Sequence, residues 1–178
     1  MKTAIVIRHA ERQDRADNAS GLSPAGVAQA RAAGARCPRF DLVVTSPLPR
    51  AKETAAAMGF AVSRVHPALQ EIGERVEAHV RWSDGYRAWA EARRSAPAVA
   101  AYADALAALV RGWLDEVPEG GALLVVTHGG IVEALAAGLA PGFDGGALEP
   151  GAGYAEGFEA LIAAAGEPAL RRFPAPRG

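Results

Sequence analysis

The sequence predicts an α/β protein, a three-layer α/β/α sandwich with a mostly parallel central sheet. Two observations support this fold class. Short apolar runs rich in valine, isoleucine and leucine alternate along the chain with longer segments of helical character. The strongest of these runs contain no alternating polar residues, a pattern typical of parallel strands that are buried on both faces.

The apolar runs place the strands along the chain. Strands are predicted at residues 4–7, 41–45, 60–65 and 122–127, with a weaker pair at 154–162 and 169–173. The strand pattern at 60–65 is weaker than the patterns of the first, second and fourth strands. Because right-handed crossovers join parallel strands, we expect every strand-to-helix loop at the same edge of the sheet.

Capping and breaking residues place the helices. Ser23 suits the N-cap and Pro24 the first position of a helix that Pro38 limits to about residue 36. A second helix follows the second strand and ends before Gly59, which suits the position after a C-cap. Two further helices are predicted at 97–117, where apolar residues recur at helical spacing, and at 131–139.

Two segments have no regular pattern. Residues 66–96 combine Trp82, Tyr86 and Trp89 with many charges of both signs, and we predict that they form a lid or insert. The helical spacing of the three aromatic residues favours core or lid packing over the lining of a substrate mouth. Residues 141–153 are rich in glycine and are predicted as a loop. We expect substrate specificity to lie in these two segments.

Length and composition limit the possible functions. The 178 residues are most simply one domain, 1–178, which is long enough to bury a core without metal or disulfide support. With 19 basic and 20 acidic residues, the overall charge predicts neither a nucleic-acid nor a membrane partner. A single cysteine, Cys37, no signal-peptide pattern and no membrane-spanning apolar run lead us to expect a cytoplasmic protein.

Polar side chains of one chemical character follow the predicted strands. They are Arg8, His9 and Glu11 after the first strand, Ser46 and Arg50 after the second, Glu71 after the third and His128 after the fourth. Open α/β proteins bind their ligands at this edge of the sheet. Arginine pairs with phosphate oxygens, a neutral imidazole can attack phosphorus, and a carboxylic acid can protonate the leaving oxygen. The set therefore suits phosphoryl transfer.

Four sequence blocks resemble the histidine phosphatase superfamily, the phosphoglycerate mutase-like group. RHAE at 8–11 resembles the family's Arg-His-Gly or Arg-His-Ala signature at the end of the first strand. The other blocks are LSPAG with a following QA over 22–30, SPLPRAKETA over 46–55 and VVTHGG over 125–130. All four stand in the family's order, which makes the resemblance specific.

The resemblance implies a phosphoglycerate mutase-like fold and a role for each matched residue. His9 would be the nucleophile that becomes phosphorylated. Arg8, Arg50 and His128 would hold the phosphoryl group together with His9. Glu71 matches the family's Leu-x-Glu acid and would donate the proton, so that His9, Glu71 and His128 are the predicted catalytic residues.

Some positions depart from the family pattern. Arg12 and Arg15 stand where many members have threonine and asparagine, and with Ser46 they are candidates for binding the substrate. The Trp-Glu-Gly that often follows the acid is missing, so Glu74 is an alternative to Glu71. Both carboxylates also have the plainer interpretation of solvated surface charges.

The reaction we expect is two-step hydrolysis of a phosphomonoester without a metal ion or cofactor. His9 must be neutral to attack, so we expect a backbone carbonyl to fix its other ring nitrogen. His66 and His79 form no close ligand cluster with the other histidines, and no zinc-binding spacing occurs. The expected substrate is a small phosphorylated metabolite or a phosphoprotein.

Three alternative functions fit the same residues. A mutase that moves phosphate within a sugar acid is disfavoured by the short chain, which leaves little material to exclude water. A phosphatase for phosphohistidine in proteins would suit a shallow pocket. A non-catalytic phosphate-binding scaffold is disfavoured by the complete set of arginines and histidines. The sequence leaves the oligomeric state open.

Overall fold

The computed structural model describes residues 1–163 and 166–174. The first half of the chain contains β1 (Lys2–Arg8), α1 (Pro24–Gly34), β2 (Leu42–Thr45), α2 (Pro49–Ala57), β3 (Arg64–Val65) and α3 (Glu74–Glu77). The second half contains α4 (Tyr86–Ser95), α5 (Pro97–Asp115), β4 (Ala122–Thr127), α6 (Ile131–Leu139), β5 (Gly157–Ile162) and β6 (Ala169–Phe173). Two 3-10 turns, Pro67–Leu69 and Gly146–Leu148, lie in the connections.

The strands form one sheet in the order β3-β2-β4-β1-β5-β6. β3, β2, β4 and β1 are parallel neighbours, whereas β5 pairs antiparallel with β1 and with β6. Arg8 lies opposite Thr127, and Thr45 lies opposite Val126, so β1, β2 and β4 end side by side. The predicted mostly parallel sheet is confirmed, and the residues that follow these three strands meet at one edge.

The side chains of β1 alternate between two cores. Ala4 and Val6 pack into a cluster with α3, α4, α5 and α6, whereas Ile5 and Ile7 pack with α1 and α2. Trp89 of α4 is the largest fully buried side chain of the first cluster. The three layers predicted from the sequence are therefore confirmed.

Two of the predicted strands begin later than expected. Only Arg64–Val65 of the predicted run 60–65 forms a strand, because Phe60 turns to pack edge-on against Phe40 with ring centroids 4.8 Å apart. The predicted strand 154–162 begins at Gly157, because Ala155 has a φ of 55° that interrupts extended backbone.

The segment 66–96 contains two helices that were not predicted. α4 is amphipathic and buries Tyr86 and Trp89 against α5 and α6, in agreement with the packing expected for these two aromatic residues. Trp82 departs from that expectation, because 47% of its surface is exposed. The assignment of 66–96 as a lid or insert stays a prediction.

The helix ends agree closely with the sequence signals. Ser23 caps α1 by accepting a hydrogen bond from the Gly26 N–H at 3.0 Å, as predicted. α1 ends two residues early, at Gly34, where it lies against the Met58 backbone. Gly59 follows α2 with a φ of 93°, also as predicted. None of the helices within residues 1–163 and 166–174 combines the length and apolar character needed to cross a bilayer.

Candidate active site

A cavity of about 360 Å³ opens where the parallel strands end. Its lining includes all four predicted phosphate-binding residues, Arg8, His9, Arg50 and His128. The imidazoles of His9 and His128, which follow β1 and β4, have ring centroids 5.1 Å apart. Arg50 reaches them from the first turn of α2, where its Nε donates to Nε2 of His9 at 3.2 Å. Residues from three distant segments therefore surround one small space.

The imidazole of His9 is held in one orientation and kept neutral. Nδ1 lies 2.7 Å from the carbonyl oxygen of Ala10, so the Nδ1–H donates to it and the lone pair is on Nε2. Burial, opposed by this hydrogen bond and followed by the charges of Arg50 and Arg8, lowers the pKa of His9 to about 3. The backbone carbonyl expected from the sequence is present, and a neutral imidazole directs its lone pair toward Arg50.

His128 is also buried, and Ser46 orients it. Nε2 of His128 lies 2.8 Å from Oγ of Ser46, which accepts a hydrogen bond from the Leu48 N–H at 3.2 Å. Nδ1 of His128 is buried and has no partner within the described residues. Burial, followed by the interactions with His9 and Arg50, lowers the pKa of His128 to about 2. Ser46 is fully buried against this imidazole and does not line the cavity.

Arg8 lies between two aromatic rings. Its Cζ is 4.4 Å from the ring centroid of Tyr154 and 5.5 Å from that of Trp82, and its Nη1 donates to the Ala152 carbonyl at 3.2 Å. Both rings line the cavity. Tyr154 was predicted in a strand and not as part of the site, and for Trp82 core or lid packing was favoured over lining of a substrate mouth. No local signal around Tyr154 indicates this contact.

A buried carboxylate connects the loop that follows His128 with the loop whose Ala152 carbonyl accepts from Arg8. Glu133, in the first turn of α6, is 3% exposed and accepts hydrogen bonds from the Gly130 N–H at 2.6 Å and the Ala152 N–H at 2.8 Å. Burial raises the pKa of Glu133, and the two hydrogen bonds and Arg8 oppose that shift. Glu133 was not predicted as part of the site, although one acidic residue in the apolar helix IVEALAAGL is a usable signal.

The first and third sequence blocks are joined by hydrogen bonds. The Ala10 N–H donates to Oγ1 of Thr54 at 2.9 Å, and the same hydroxyl donates to the Arg50 carbonyl at 2.7 Å. Thr54 therefore fixes the backbone directly after His9 relative to the helix that carries Arg50.

The second block holds the loop after His9 in place. Ser23 Oγ donates to a Glu11 carboxylate oxygen at 2.7 Å, and the Glu11 N–H donates to Gln29 at 3.0 Å. A Cβ at Gly26 would stand 2.0 Å from the Glu11 carbonyl oxygen, so only glycine permits this approach. None of these four residues lines the cavity. The block supports the site and does not form it.

Two carboxylates line the cavity, and only one of them was a predicted acid. Glu71 lines it, and Thr127 Oγ1 fixes the preceding turn by donating to the Leu69 carbonyl at 2.8 Å. Glu74, the predicted alternative, is exposed on α3 and does not line it. Glu77, one turn further along, does line it and was not singled out from the sequence.

The loop between β1 and α1 completes the rim of the cavity. Arg12, Arg15 and Asn18 line the cavity. Arg12 and Arg15 therefore lie where residues that bind a substrate must lie, and their role in binding stays a prediction. The Asn18 carbonyl accepts a hydrogen bond from Arg50 Nη1 at 2.8 Å. Arg12 Nη2 donates to the Arg15 carbonyl at 2.5 Å. Within the part of the chain that the structure describes, no three His, Cys, Asp or Glu side chains are grouped to hold a metal ion.

Comparison with solved structures shows a shared fold. A mutant phosphoserine phosphatase from Entamoeba histolytica in complex with phosphoserine has a TM-score of 0.67 and 19% identity, over 96% of this chain and 95% of that one. The protein histidine phosphatase SixA complexed with tungstate has a TM-score of 0.61 and 19% identity, over 95% and 94%. A mycobacterial glucosyl-3-phosphoglycerate phosphatase has a TM-score of 0.58 and 22% identity, over 89% of each chain.

The sequence comparison identifies the family. No curated protein matches the chain significantly. The family model of the histidine phosphatase superfamily (branch 1), however, matches residues 4–150, which contain all four sequence blocks. Because this match spans most of the chain and agrees with the fold, the protein belongs to branch 1 of the histidine phosphatase superfamily.

Proposed function

We propose that the protein hydrolyses phosphomonoesters through a phosphohistidine formed on His9, without a metal ion. One observation carries the proposal: a buried, neutral imidazole whose Nδ1 is bound to the Ala10 carbonyl and whose Nε2 faces Arg50. Membership of a phosphatase family and the fold shared with three phosphatases support it.

In the first step, the Nε2 lone pair of His9 attacks phosphorus and the bond to the ester oxygen breaks. Glu71, as the carboxylic acid, gives its proton to the leaving alkoxide, so a neutral alcohol departs. Arg8, Arg50 and His128 stabilise the negative charge spread over the transferring phosphoryl oxygens. Nδ1 of His9 keeps its proton and donates it in the hydrogen bond to the Ala10 carbonyl throughout.

In the second step, water attacks the phosphohistidine. Glu71, now a carboxylate, takes a proton from the water while the phosphorus–nitrogen bond breaks. Inorganic phosphate leaves, and both His9 and Glu71 return to their starting protonation states. The same residue therefore serves as acid and then as base.

Hydrolysis is favoured over mutase activity by the exposure of the acid. Glu71 lines the cavity and is exposed to solvent. A mutase must keep water from the phosphohistidine between its two half-reactions. Water has direct access to Glu71 here, which supports phosphoryl transfer to water.

The proposal is tested with purified protein and an aryl phosphate in the presence of EDTA. We expect turnover by the wild type, no effect of the chelator and no turnover by His9→Ala, because His9 accepts the phosphoryl group in the proposed mechanism. A phosphohistidine-bearing protein in the same assay distinguishes a protein substrate from a small one. Full activity of His9→Ala, or phosphate binding by the wild type without turnover of any phosphoester, contradicts the proposal.

Substitution of the carboxylates tests the assignment of the acid. Glu71→Gln should lower kcat for an alkyl phosphate by about 10²–10⁴-fold, the usual contribution of general acid catalysis. The loss should be smaller for an aryl phosphate, whose leaving group needs less protonation. Glu74→Gln, outside the cavity, is the matched control and should keep full activity. If Glu77→Gln loses activity in this pattern and Glu71→Gln does not, the acid is Glu77.

A further inference from the structure

Four guanidinium groups line the cavity, which is more than one phosphoryl group requires. Arg8 donates a hydrogen bond to the Ala152 carbonyl, and Arg50 donates one to the imidazole of His9. Arg12 and Arg15 lie on the loop that forms the rim. Within residues 1–163 and 166–174, neither of these two rim arginines has a carboxylate at ion-pair distance.

Arg12 is held by its own loop at the rim of the cavity. Its backbone forms an isolated bridge with Leu22, and its Nη2 donates to the Arg15 carbonyl at 2.5 Å. The pKa of Arg50 is lowered to about 10, chiefly by burial and next by the charge of Arg12. Arg12 and Arg50 therefore line the same cavity and lie close enough for their charges to interact.

Arg15 is the outer member of the pair. It is exposed, it lines the cavity, and its guanidinium makes no hydrogen bond within the described residues. An exposed arginine without a partner keeps its donors available for a ligand. Arg12 and Arg15 thus provide two further guanidiniums in the same cavity, in addition to those of Arg8 and Arg50.

We propose that Arg12 and Arg15 form a second anion subsite, so that the preferred substrates are phosphomonoesters carrying a further carboxylate or phosphate near the ester. This inference rests on the proposed phosphatase function and specifies its substrate class. A second anion would offset the repulsion among four neighbouring cations, and arginine forms paired hydrogen bonds with either group. Glu71 and Glu77 on the same cavity would repel that anion and so favour one orientation of the substrate.

Matched substrate pairs test the subsite. Glycerol 3-phosphate, whose remaining groups are neutral, is compared with 3-phosphoglycerate, which adds a carboxylate. Fructose 6-phosphate is compared with fructose 1,6-bisphosphate, which adds a second phosphate at a greater distance. We expect the wild type to have a kcat/KM at least about tenfold higher for the member of one pair that carries the additional anionic group, the gain from one charge-assisted hydrogen bond. The favoured pair identifies the second anion.

Three variants separate the subsite from the reaction centre. Arg15→Ala and Arg12→Gln should each lower kcat/KM about tenfold for the favoured substrate while leaving the neutral partner within about twofold. Arg75→Ala, an exposed arginine of α3 outside the cavity, is the matched control and should change neither. An equal loss on both members of each pair overturns the inference, because it would place the two arginines on the transferring phosphoryl group.

A binding measurement keeps this test independent of turnover. In the His9→Ala background, 3-phosphoglycerate or fructose 1,6-bisphosphate should bind about tenfold more weakly after Arg15→Ala, whereas inorganic phosphate should bind equally well. If the wild type does not turn over any phosphoester but this binding difference is found, the proposed hydrolysis is rejected and the subsite is retained. Normal turnover without any charge-dependent difference rejects the subsite and retains the hydrolysis.

Discussion

At His9, burial, one hydrogen bond and two neighbouring cations determine the chemistry of the imidazole. The Ala10 carbonyl selects the tautomer, and burial with the charges of Arg50 and Arg8 lowers the pKa to about 3. The same two guanidiniums are available to the phosphoryl oxygens. The arrangement therefore keeps the proposed nucleophile deprotonated in the free protein and would provide positive charge for a phosphoryl group.

Glu133 provides the sharpest prediction for a single residue outside the cavity. Glu133→Gln leaves the size of the side chain almost unchanged, but one of the two N–H groups at Gly130 and Ala152 must lose its acceptor. We expect kcat/KM to fall about tenfold or more, since an unsatisfied buried donor costs about 1–3 kcal/mol and Ala152 supports Arg8. Steady-state kinetics on an aryl phosphate measures this.

The control for this variant is Glu91→Gln, an exposed change on α4 with no side-chain hydrogen bond in the structure, which should have wild-type kinetics. Glu133→Asp should also have a lowered kcat/KM, because the shorter side chain cannot reach both N–H groups at once. Wild-type kinetics of Glu133→Gln would show that the carboxylate does not position the two loops.

The residues of the candidate site were predictable where a local signal exists. Arg8 ends a strand, His9 and His128 follow strands and Arg50 begins a helix, each within a recognisable block, and all four line the cavity. Tyr154 was not predictable, because its contact with Arg8 depends on how a distant loop returns to the sheet. Local sequence carries no information about that return.

At the scale of elements, glycine determines how closely the two helices α5 and α6 pack. A Cβ at Gly138 of α6 would lie 2.1 Å from the Ala103 carbonyl oxygen of α5. Gly112 of α5, by contrast, faces open space with nothing within 4 Å of a Cβ. Replacement of these two helical glycines by alanine should therefore change the free energy of unfolding in opposite directions.

Replacement of each glycine by alanine tests this difference. Gly138→Ala must separate α5 from α6 and should lower the free energy of unfolding by about 1–3 kcal/mol, the usual cost of overpacking. Gly112→Ala should raise it by about 1 kcal/mol or less, because alanine favours the helix over glycine. Urea denaturation measures both. Equal effects of the two substitutions would contradict the close α5–α6 packing.

Elements with strong periodicity or caps were predictable, and those defined by tertiary contacts were not. The four parallel-strand regions and the helices α1, α2, α5 and α6 follow from apolar runs, prolines and glycines. α4 was missed although Tyr86, Trp89 and Ala90 have helical spacing, because the surrounding charges obscure the pattern. β3 is short because Phe60 packs against the ring of Phe40 and does not join the edge of the sheet.

For the whole molecule, the buried histidines make stability depend on pH. An unfolded histidine titrates near pH 6.5, whereas the pKa of His9 in the folded chain is about 3 and that of His128 about 2. Below pH 6.5 the unfolded chain binds protons that the folded chain does not. The free energy of unfolding must therefore fall as the pH decreases from 6.5 toward 3, by up to about 1.4 kcal/mol per pH unit for each histidine.

The variant His9→Asn isolates this contribution. Asparagine can keep a hydrogen bond to the Ala10 carbonyl but has no proton to bind in this range. Between pH 7 and pH 5, the wild type should lose about 2 kcal/mol more unfolding free energy than the variant. Urea denaturation at both pH values measures this, and the carboxylates titrate alike in both proteins. Equal losses would show that His9 is not buried as a neutral group.

The register of the sheet determines where the reaction centre lies. β1, β2 and β4 end side by side, so their following residues, His9, Ser46 and His128, meet at one edge. This convergence was predictable from the alternation of strands and helices alone. The identity of the substrate was not, because the rim is formed by loops whose course depends on the folded molecule.

Trapping the phosphorylated protein tests the central claim most directly. Wild-type protein is mixed with a phosphomonoester, denatured within milliseconds in alkali, digested, and analysed for the site of phosphorylation by mass spectrometry. We expect a phosphoryl group on the peptide that contains His9, stable in alkali and lost in acid, and increased by Glu71→Gln if that variant slows the second step. Turnover without any phosphorylated His9, or with the label on another residue, would contradict the account.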